Sequence, residues 1–290
     1  MQVYLNGRFL PLAEAHISPL DRGFLFGDGV YEVIPVYSRR PFRIEEHLRR
    51  LQTSLDGIRL ANPYSLGEWQ RLIGEMIRLS DWDDQGVYLQ VTRGAATAMP
   101  LRDHPFPQPE PEPTVFMLPG PLVTPSAAVL AAGATAVTRA DNRWLRCDLK
   151  TTSLLANVLL RQEAVDAGCT ETLLLRDGYL SEGSASNIFI VKDGLLLAPP
   201  KSNLMLPGVT YDVVLELAAA NGVPSEVRPI TEAELRAADE VWMTSSTKEV
   251  LAITMLDGQP VGTGRPGPLA QRMHALYQQF KNEVMRRADR

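Results

Sequence analysis

The chain is poor in cysteine and in lysine and lacks long apolar runs, and each shortage narrows the possibilities. It has two cysteines in 290 residues, Cys147 and Cys169. Neither sits in a metal-ligand spacing, so no metal site is expected, and so few cysteines suit a reducing cytoplasm. No apolar stretch approaches the roughly 20 residues needed to span a bilayer, so no membrane anchorage is expected. The first residues, Met1 to Gly7, lack the charged start and apolar core of a secretion signal. The formal net charge is -5 and no long basic run offsets it, which argues against a nucleic-acid partner. Of the 29 basic residues only five are lysines, namely Lys150, Lys192, Lys201, Lys248 and Lys281. Arginine is therefore expected to solvate most of the surface, and a lysine beside an apolar segment stands out.

What is present is an ordinary globular balance, 45% hydrophobic and 22% charged. Val3 to Leu12 reads as two strands around a turn at Asn6-Gly7, and Gly29 to Tyr37 as a β-branched strand. Leu48, Leu51 and Leu55 follow helical spacing, and a second helix is expected from about Ser65 to Ser80. Val87 to Thr92 and Val115 to Met117 read as strands, with a proline-rich stretch between them. In the second half the expected helices are Thr152 to Ala167, Thr210 to Ala220 and Pro268 to Arg287. Strands are expected at Ala134 to Thr138, Glu171 to Leu175, Ser186 to Val191, Leu195 to Leu197 and Glu240 to Thr244. Lys192-Asp193-Gly194 is a strong hairpin turn. The fold class is α+β in two domains, 1–118 and 127–290, joined by a linker over 119–126 where Pro119, Gly120, Pro121 and Pro125 cluster.

Four groups of residues could carry chemistry. Lys150 ends the run Trp144-Leu145-Arg146-Cys147-Asp148-Leu149 and precedes the expected helix cap at Thr152 or Ser153. The positive end of a helix dipole and partial burial both favour a neutral, nucleophilic amine. Position alone equally suits a solvated loop lysine. Glu182, among small residues in Leu180-Ser181-Glu182-Gly183-Ser184, could hold a pyridine nitrogen protonated, or could be an acid in a surface turn. Leu206-Pro207-Gly208-Val209-Thr210 opens a helix, and Thr244-Ser245-Ser246-Thr247 follows a strand; both are anion-binding shapes, and Arg50 could add the countercharge. Arg102-Asp103-His104, with Tyr31, offers a guanidinium, an imidazole and a phenol for a carboxylate.

Spacing does not assemble these groups, but a family pattern does. The runs Asp21-Arg22-Gly23, Phe26-Gly27-Asp28-Gly29-Val30-Tyr31-Glu32-Val33, Glu46-His47-Leu48 with Arg50-Leu51, Arg143 to Lys150, Glu182-Gly183-Ser184 with Asn187, and Leu206 to Thr210 occur in order along nearly the whole chain. The chain resembles the fold-type IV pyridoxal-phosphate-dependent aminotransferases, and within them the D-amino-acid aminotransferases. The resemblance implies a two-domain α+β architecture and a pyridoxal 5'-phosphate cofactor joined to Lys150 as a Schiff base. It implies Glu182 at the pyridine nitrogen and Leu206 against the ring, with Arg50, Val209, Thr210, Ser245 and Ser246 at the phosphate. Tyr31, Arg102 and His104 would trap the substrate α-carboxylate, the last two from the neighbouring subunit of a homodimer. The implied reaction is ping-pong transamination between a D-amino acid and a 2-oxo acid such as 2-oxoglutarate. Related activities of the same fold are a branched-chain L-aminotransferase, an (R)-amine transaminase and aminodeoxychorismate lyase; a cofactor-free binding protein is the alternative from another class. One departure stands out: Ala95 to Leu101 looks several residues longer than usual, immediately before Arg102.

Overall fold

The computed structural model describes residues 1–286 and divides them into two compact units, Met1–Leu122 with Leu149–Leu154, and Val123–Asp148 with Leu155 onward. The short return of Leu149–Leu154 to the first unit is the feature that pattern reading does not anticipate, and it contains Lys150.

The first unit runs β1 (Gln2–Leu5), β2 (Arg8–Pro11), α1 (Arg22–Phe26), β3 (Gly29–Tyr37), β4 (Arg40–Pro41), α2 (Ile44–Gly57), α3 (Leu66–Leu79), β5 (Gln85–Thr92) and β6 (Thr114–Pro121). Its antiparallel sheet has the order β2-β1-β6-β5-β3-β4. Val30, Ile34 and Val36 of β3 and Val87, Leu89 and Val91 of β5 face α2 and α3, forming one core with Leu48, Leu51, Leu55, Trp69, Ile73 and Met76. Ser65 starts α3 with a reciprocal capping box to Glu68. β6 extends through Pro121, into the segment expected as linker. β1 pairs with β6 only at Phe116 and Met117, which leaves one side of the strand open where the prolines lack an N–H.

The second unit runs α4 (Ala127–Ala132), β7 (Ala134–Ala140), α5 (Leu155–Asp166), β8 (Glu171–Arg176), β9 (Tyr179–Gly183), β10 (Asn187–Lys192), β11 (Leu195–Ala198), α6 (Val209–Ala220), β12 (Ser225–Val227), α7 (Glu232–Arg236), β13 (Glu240–Ser245), β14 (Glu249–Leu256), β15 (Gln259–Pro260) and α8 (Pro268–Phe280). Its mixed sheet follows β12-β11-β10-β13-β14-β7-β8-β9, with β15 on β14. The parallel pairs are β11 with β12, β14 with β7 and β7 with β8. The hairpin from β10 to β11 turns on Asp193 and Gly194, both at positive φ. The expected last helix ends as α8 at Phe280 and continues as a π-helical turn over Lys281–Met285; Arg287 lies outside the described residues. Among the described residues no helix is long and apolar enough to cross a membrane.

Three of the arginines do not serve the surface. Arg22, Arg93 and Arg143 are 4%, 1% and 8% exposed, and each is buried with a carboxylate partner. A guanidinium can enter a core when its donors are taken by carboxylates and carbonyls.

Candidate active site

Lys150 belongs to the first unit and is held there by its backbone. Its N–H donates to Ser54 Oγ at 3.0 Å, and its carbonyl accepts the N–H of Tyr31 at 2.9 Å. Thr151 bridges Val30, and the Thr152 N–H donates to the carbonyl of Gly29. The hydroxyls of Thr152 and Ser153 both donate to the carbonyl of Gly27 at 3.0 Å. These commitments correct the expected helix start. Thr152 and Ser153 serve the edge of β3 rather than a cap, and α5 begins only at Leu155, so a helix dipole is not what acts on Lys150. The Lys150 Nζ lies 4.3 Å from the ring centre of Tyr31, within cation–π range. Tyr31 in turn stacks on Tyr88, whose own hydroxyl burial pushes up to about 12.

Behind this pair runs a buried ionic chain. Glu32 faces the core beside Val30 and Ile34 and is fully buried. Arg50 grips it through Nε–Oε1 at 2.7 Å and Nη2–Oε2 at 2.8 Å, and His47 Nδ1 lies 2.9 Å from Oε2. Burial alone would push the Glu32 carboxyl up, but Arg50 and His47 overcome that and hold it below the usual carboxylate range. Burial keeps His47 below its ordinary value, and the charges of Arg50 and Lys150 push the same way against the pull of Glu32. Arg50 is therefore paired with Glu32, not simply solvated on the helix.

Glu182 belongs to the second unit. It lies on β9, not in a surface turn, and is 4% exposed. Arg143 Nη1 donates to its Oε1 at 2.6 Å, the Leu206 N–H lies 3.2 Å from both oxygens, and Asn187 Nδ2 lies 3.3 Å from Oε2. Arg143 also forks onto Asp141, itself bound by Arg176. Burial pushes the Glu182 carboxyl up to about 7; Arg143 and the Leu206 amide pull it down, and the charge of Asp141 pushes it up. The direction follows from geometry: one guanidinium is shared between two carboxylates, so Glu182 receives only part of its compensation.

Asn187 links the remaining candidates. Its side-chain amide donates to the carbonyl of Leu206 at 2.9 Å, and it pairs with Thr244 across β10 and β13. A Cβ on Gly208 would come within 2.0 Å of Asn187 Oδ1, so only glycine lets the loop approach so closely. Gly208 is the N-cap of α6 and supplies no side-chain cap to the first turn, where Val209 and Thr210 lie. Ser245 ends β13, and its Oγ accepts the N–H of Lys248 at 3.1 Å in the turn to β14, with Ser246 between. The structure thus brings Glu182, Leu206, the start of α6 and the end of β13 around one asparagine. Asn187, Arg143, Glu32 and His47 were present in the sequence pattern but carried no assigned role. For Glu32, His47 and Asn187 the signal was a polar side chain at an inward-facing register; Arg143 lies outside any strand or helix and offered none.

Arg102 and His104 are placed elsewhere in the first unit. The Arg102 guanidinium lies 5.1 Å from the ring centre of Phe26, and the His104 ring 5.6 Å from it. Among the described residues no hydrogen bond or ring contact joins either to Tyr31.

The family description amino-transferase class IV matches residues 29–256. The chain belongs to the class IV aminotransferases. It is 38% identical to a D-alanine aminotransferase of Bacillus licheniformis over 279 residues, 96% of each chain. To a D-alanine aminotransferase of Listeria monocytogenes it is 37% identical over 286 residues, 99% of this chain and 97% of that one. Among solved structures it is similar to the branched-chain amino acid aminotransferase of Escherichia coli, with a TM-score of 0.85, 26% identity, and 98% and 94% of the two chains covered. A hypothetical aminotransferase of Mycobacterium tuberculosis in a PLP-bound form aligns with a TM-score of 0.80 at 25% identity, covering 96% and 98%. The fold is thus the fold-type IV aminotransferase fold, α+β in content.

Proposed function

We propose that this aminotransferase exchanges an amino group between a D-amino acid and a 2-oxo acid, with pyridoxal phosphate on Lys150. The observation that carries the D-amino-acid reading is the identity to D-alanine aminotransferases across nearly the whole chain, in a sequence that also has Tyr31, Arg102 and His104. The donor set fits the cofactor. A phosphate ester requires backbone and hydroxyl donors, which the uncapped first turn of α6 and the β13–β14 turn supply. A pyridine nitrogen requires a buried acceptor, which Glu182 supplies with its geometry locked by Arg143, Asn187 and Leu206.

When bound, pyridoxal phosphate supplies an aldehyde carbon and an electron-poor ring that takes up the electron pair left when the substrate Cα–H bond breaks. Glu182 would accept a hydrogen bond from the ring nitrogen, and Leu206 would pack on the ring. Val209, Thr210, Ser245, Ser246 and Arg50 would hold the phosphate. Lys150 Nζ would carry the cofactor at rest, and would then accept the proton from the substrate Cα and return it at the former aldehyde carbon. Tyr31, Arg102 and His104 bind the substrate carboxylate, which fixes the hand of the substrate because Lys150 serves one face only. Arg102 and His104 serve the neighbouring copy of a homodimer that works in the cytoplasm. The exposed apolar face of α5, with Leu155, Val158 and Leu159 at 72%, 58% and 56%, suits such an association.

Lys150→Ala tests the assignment. Turnover of D-alanine with 2-oxoglutarate and the visible absorption of the lysine-bound cofactor are both expected to disappear. Normal transamination by the variant would refute it. The likeness to branched-chain aminotransferase structures favours one second reading, an L-amino-acid site on the same scaffold, and L-leucine as donor distinguishes it.

A further inference from the structure

The loop before Arg102 is the part of the chain that departs from the family pattern, yet both of its ends are tied to one residue. At its start the Arg22 N–H donates to the carbonyl of Gly94 at 2.9 Å, and Asp21 bridges Ala95. At its end the Arg22 guanidinium donates from Nη1 to the carbonyl of Asp103 at 2.6 Å and from Nη2 to that of His104 at 3.0 Å. The third nitrogen, Nε, donates to Asp28 Oδ2 at 2.9 Å. That same oxygen accepts Arg93 Nε at 2.8 Å, and the Arg93 guanidinium sits 3.8 Å from the ring centre of Phe106 just beyond the loop. Phe26 lies under Arg22 at 4.7 Å and under Arg102 at 5.1 Å, and packs against His104.

A buried guanidinium that spends its fork on the carbonyls of Asp103 and His104 holds the peptide planes on both sides of residue 104, and with them the direction of that side chain, while Phe26, packed under both Arg22 and Arg102, ties the side chain at 102 to the same point. The residues between the tied ends are free to vary in number. Thr97, Ala98, Met99 and Pro100 are all exposed, and loop closure costs little more as length increases.

We propose that Arg22 is a positioning residue: it staples both ends of the 95–104 loop. The extra residues are thereby shunted to the surface while Arg102 and His104 keep their register, and the affinity for the substrate α-carboxylate depends on that staple. The proposal rests on the reading that Arg102 and His104 bind this carboxylate.

The test uses the holoenzyme in four forms: wild type, Arg22→Lys, Arg102→Ala and the double variant. Lysine keeps the charge opposite Asp28 but cannot reach both carbonyls. Arg22→Lys is expected to raise KM for D-alanine about tenfold, the equivalent of one lost charged hydrogen bond, with kcat and pyridoxal-phosphate affinity unchanged. Amide hydrogen exchange is expected to quicken across 95–104 and nowhere else. In the double variant the rise caused by Arg22→Lys should be smaller than in the wild-type background, because part of what Arg22 holds is already lost with Arg102 while His104 remains. Phe26→Leu, which leaves the Arg22–Asp28 pair intact, is expected to raise KM in the same way and serves if Arg22→Lys folds poorly. A raised KM in Arg102→Ala with an unchanged KM in Arg22→Lys overturns the staple alone. Additive effects in the double variant do the same. An unchanged KM in Arg102→Ala overturns the carboxylate reading, and the proposal with it.

Discussion

Replacing Arg143 by leucine should produce a loss of stability whose size depends on pH. In the native protein Arg143 joins two buried carboxylates, Glu182 through one bond of 2.6 Å and Asp141 through two of 2.9 and 3.0 Å. Asp141 keeps Arg176 and the Ser181 hydroxyl after the substitution. Glu182 keeps only the weaker donors, the Leu206 amide and Asn187. At pH 8 wild-type Glu182 is ionised, since its folded value is about 7, and breaking a buried pair of this kind costs about 3–5 kcal/mol. At pH 5 Glu182 is protonated in both proteins, so only the charged hydrogen bonds to Asp141 are lost, about 2 kcal/mol. The sign follows from linkage. A carboxyl raised from 4.5 to about 7 makes the fold lose stability as pH rises between those values. Without Arg143 the folded value rises further, so the variant goes on losing stability above pH 7. Urea unfolding of the cofactor-free protein, followed by circular dichroism at pH 5 and pH 8, reads this directly. Equal losses at the two pH values, or a loss under about 1 kcal/mol at pH 8 against the buried-pair cost, would refute the shared-guanidinium account.

Two further predictions follow from the first unit. Arg102→Ala should raise KM for D-amino acids while pyridoxal-phosphate affinity stays unchanged; Michaelis kinetics beside a cofactor titration check it, and an unchanged KM places the carboxylate trap elsewhere. Burial holds His47 below the ordinary histidine value of about 6.5, so the unfolded chain takes up a proton that the fold does not, and stability is lost as pH falls below about 6.5. Glu32, also depressed, adds a second loss as pH falls through the ordinary carboxylate range near 4.3. His47→Asn should therefore flatten the stability profile between pH 6.5 and 5 relative to wild type, and parallel profiles would count against a neutral buried His47.

Local signals showed much of this fold in the sequence. Alternation gives β3, the spacing of Trp69, Leu72, Ile73, Met76 and Ile77 gives α3, and Asp193-Gly194 gives the β10–β11 hairpin, because each depends on residues close in sequence. β14 was not legible. Val250 to Ile253 are buried without alternation, so the strand has no period to read. The start of α5 was misread for a different reason. Thr152 and Ser153 are good caps in isolation, but the carbonyls of Gly27 and Gly29 engage their hydroxyls and backbone across more than a hundred residues. The site divides in the same way. The family pattern assigns roles to Lys150 and Glu182, whereas Arg22, Arg143 and Asn187 stand in the same runs without one, because their partners Asp103, His104, Glu182 and Leu206 are distant in sequence or known only from the fold. An arginine buried against two carbonyls or two carboxylates looks in sequence like any surface arginine.

The most direct test of the account is the visible spectrum of the purified holoenzyme before and after D-alanine, with L-leucine added to a parallel sample. The account predicts that D-alanine converts the band of the lysine-bound cofactor to that of the pyridoxamine form and that L-leucine does not. Conversion by L-leucine with none by D-alanine would contradict it. Lys150 and Glu182 would keep their proposed roles, but Arg102 and His104 would no longer define the substrate.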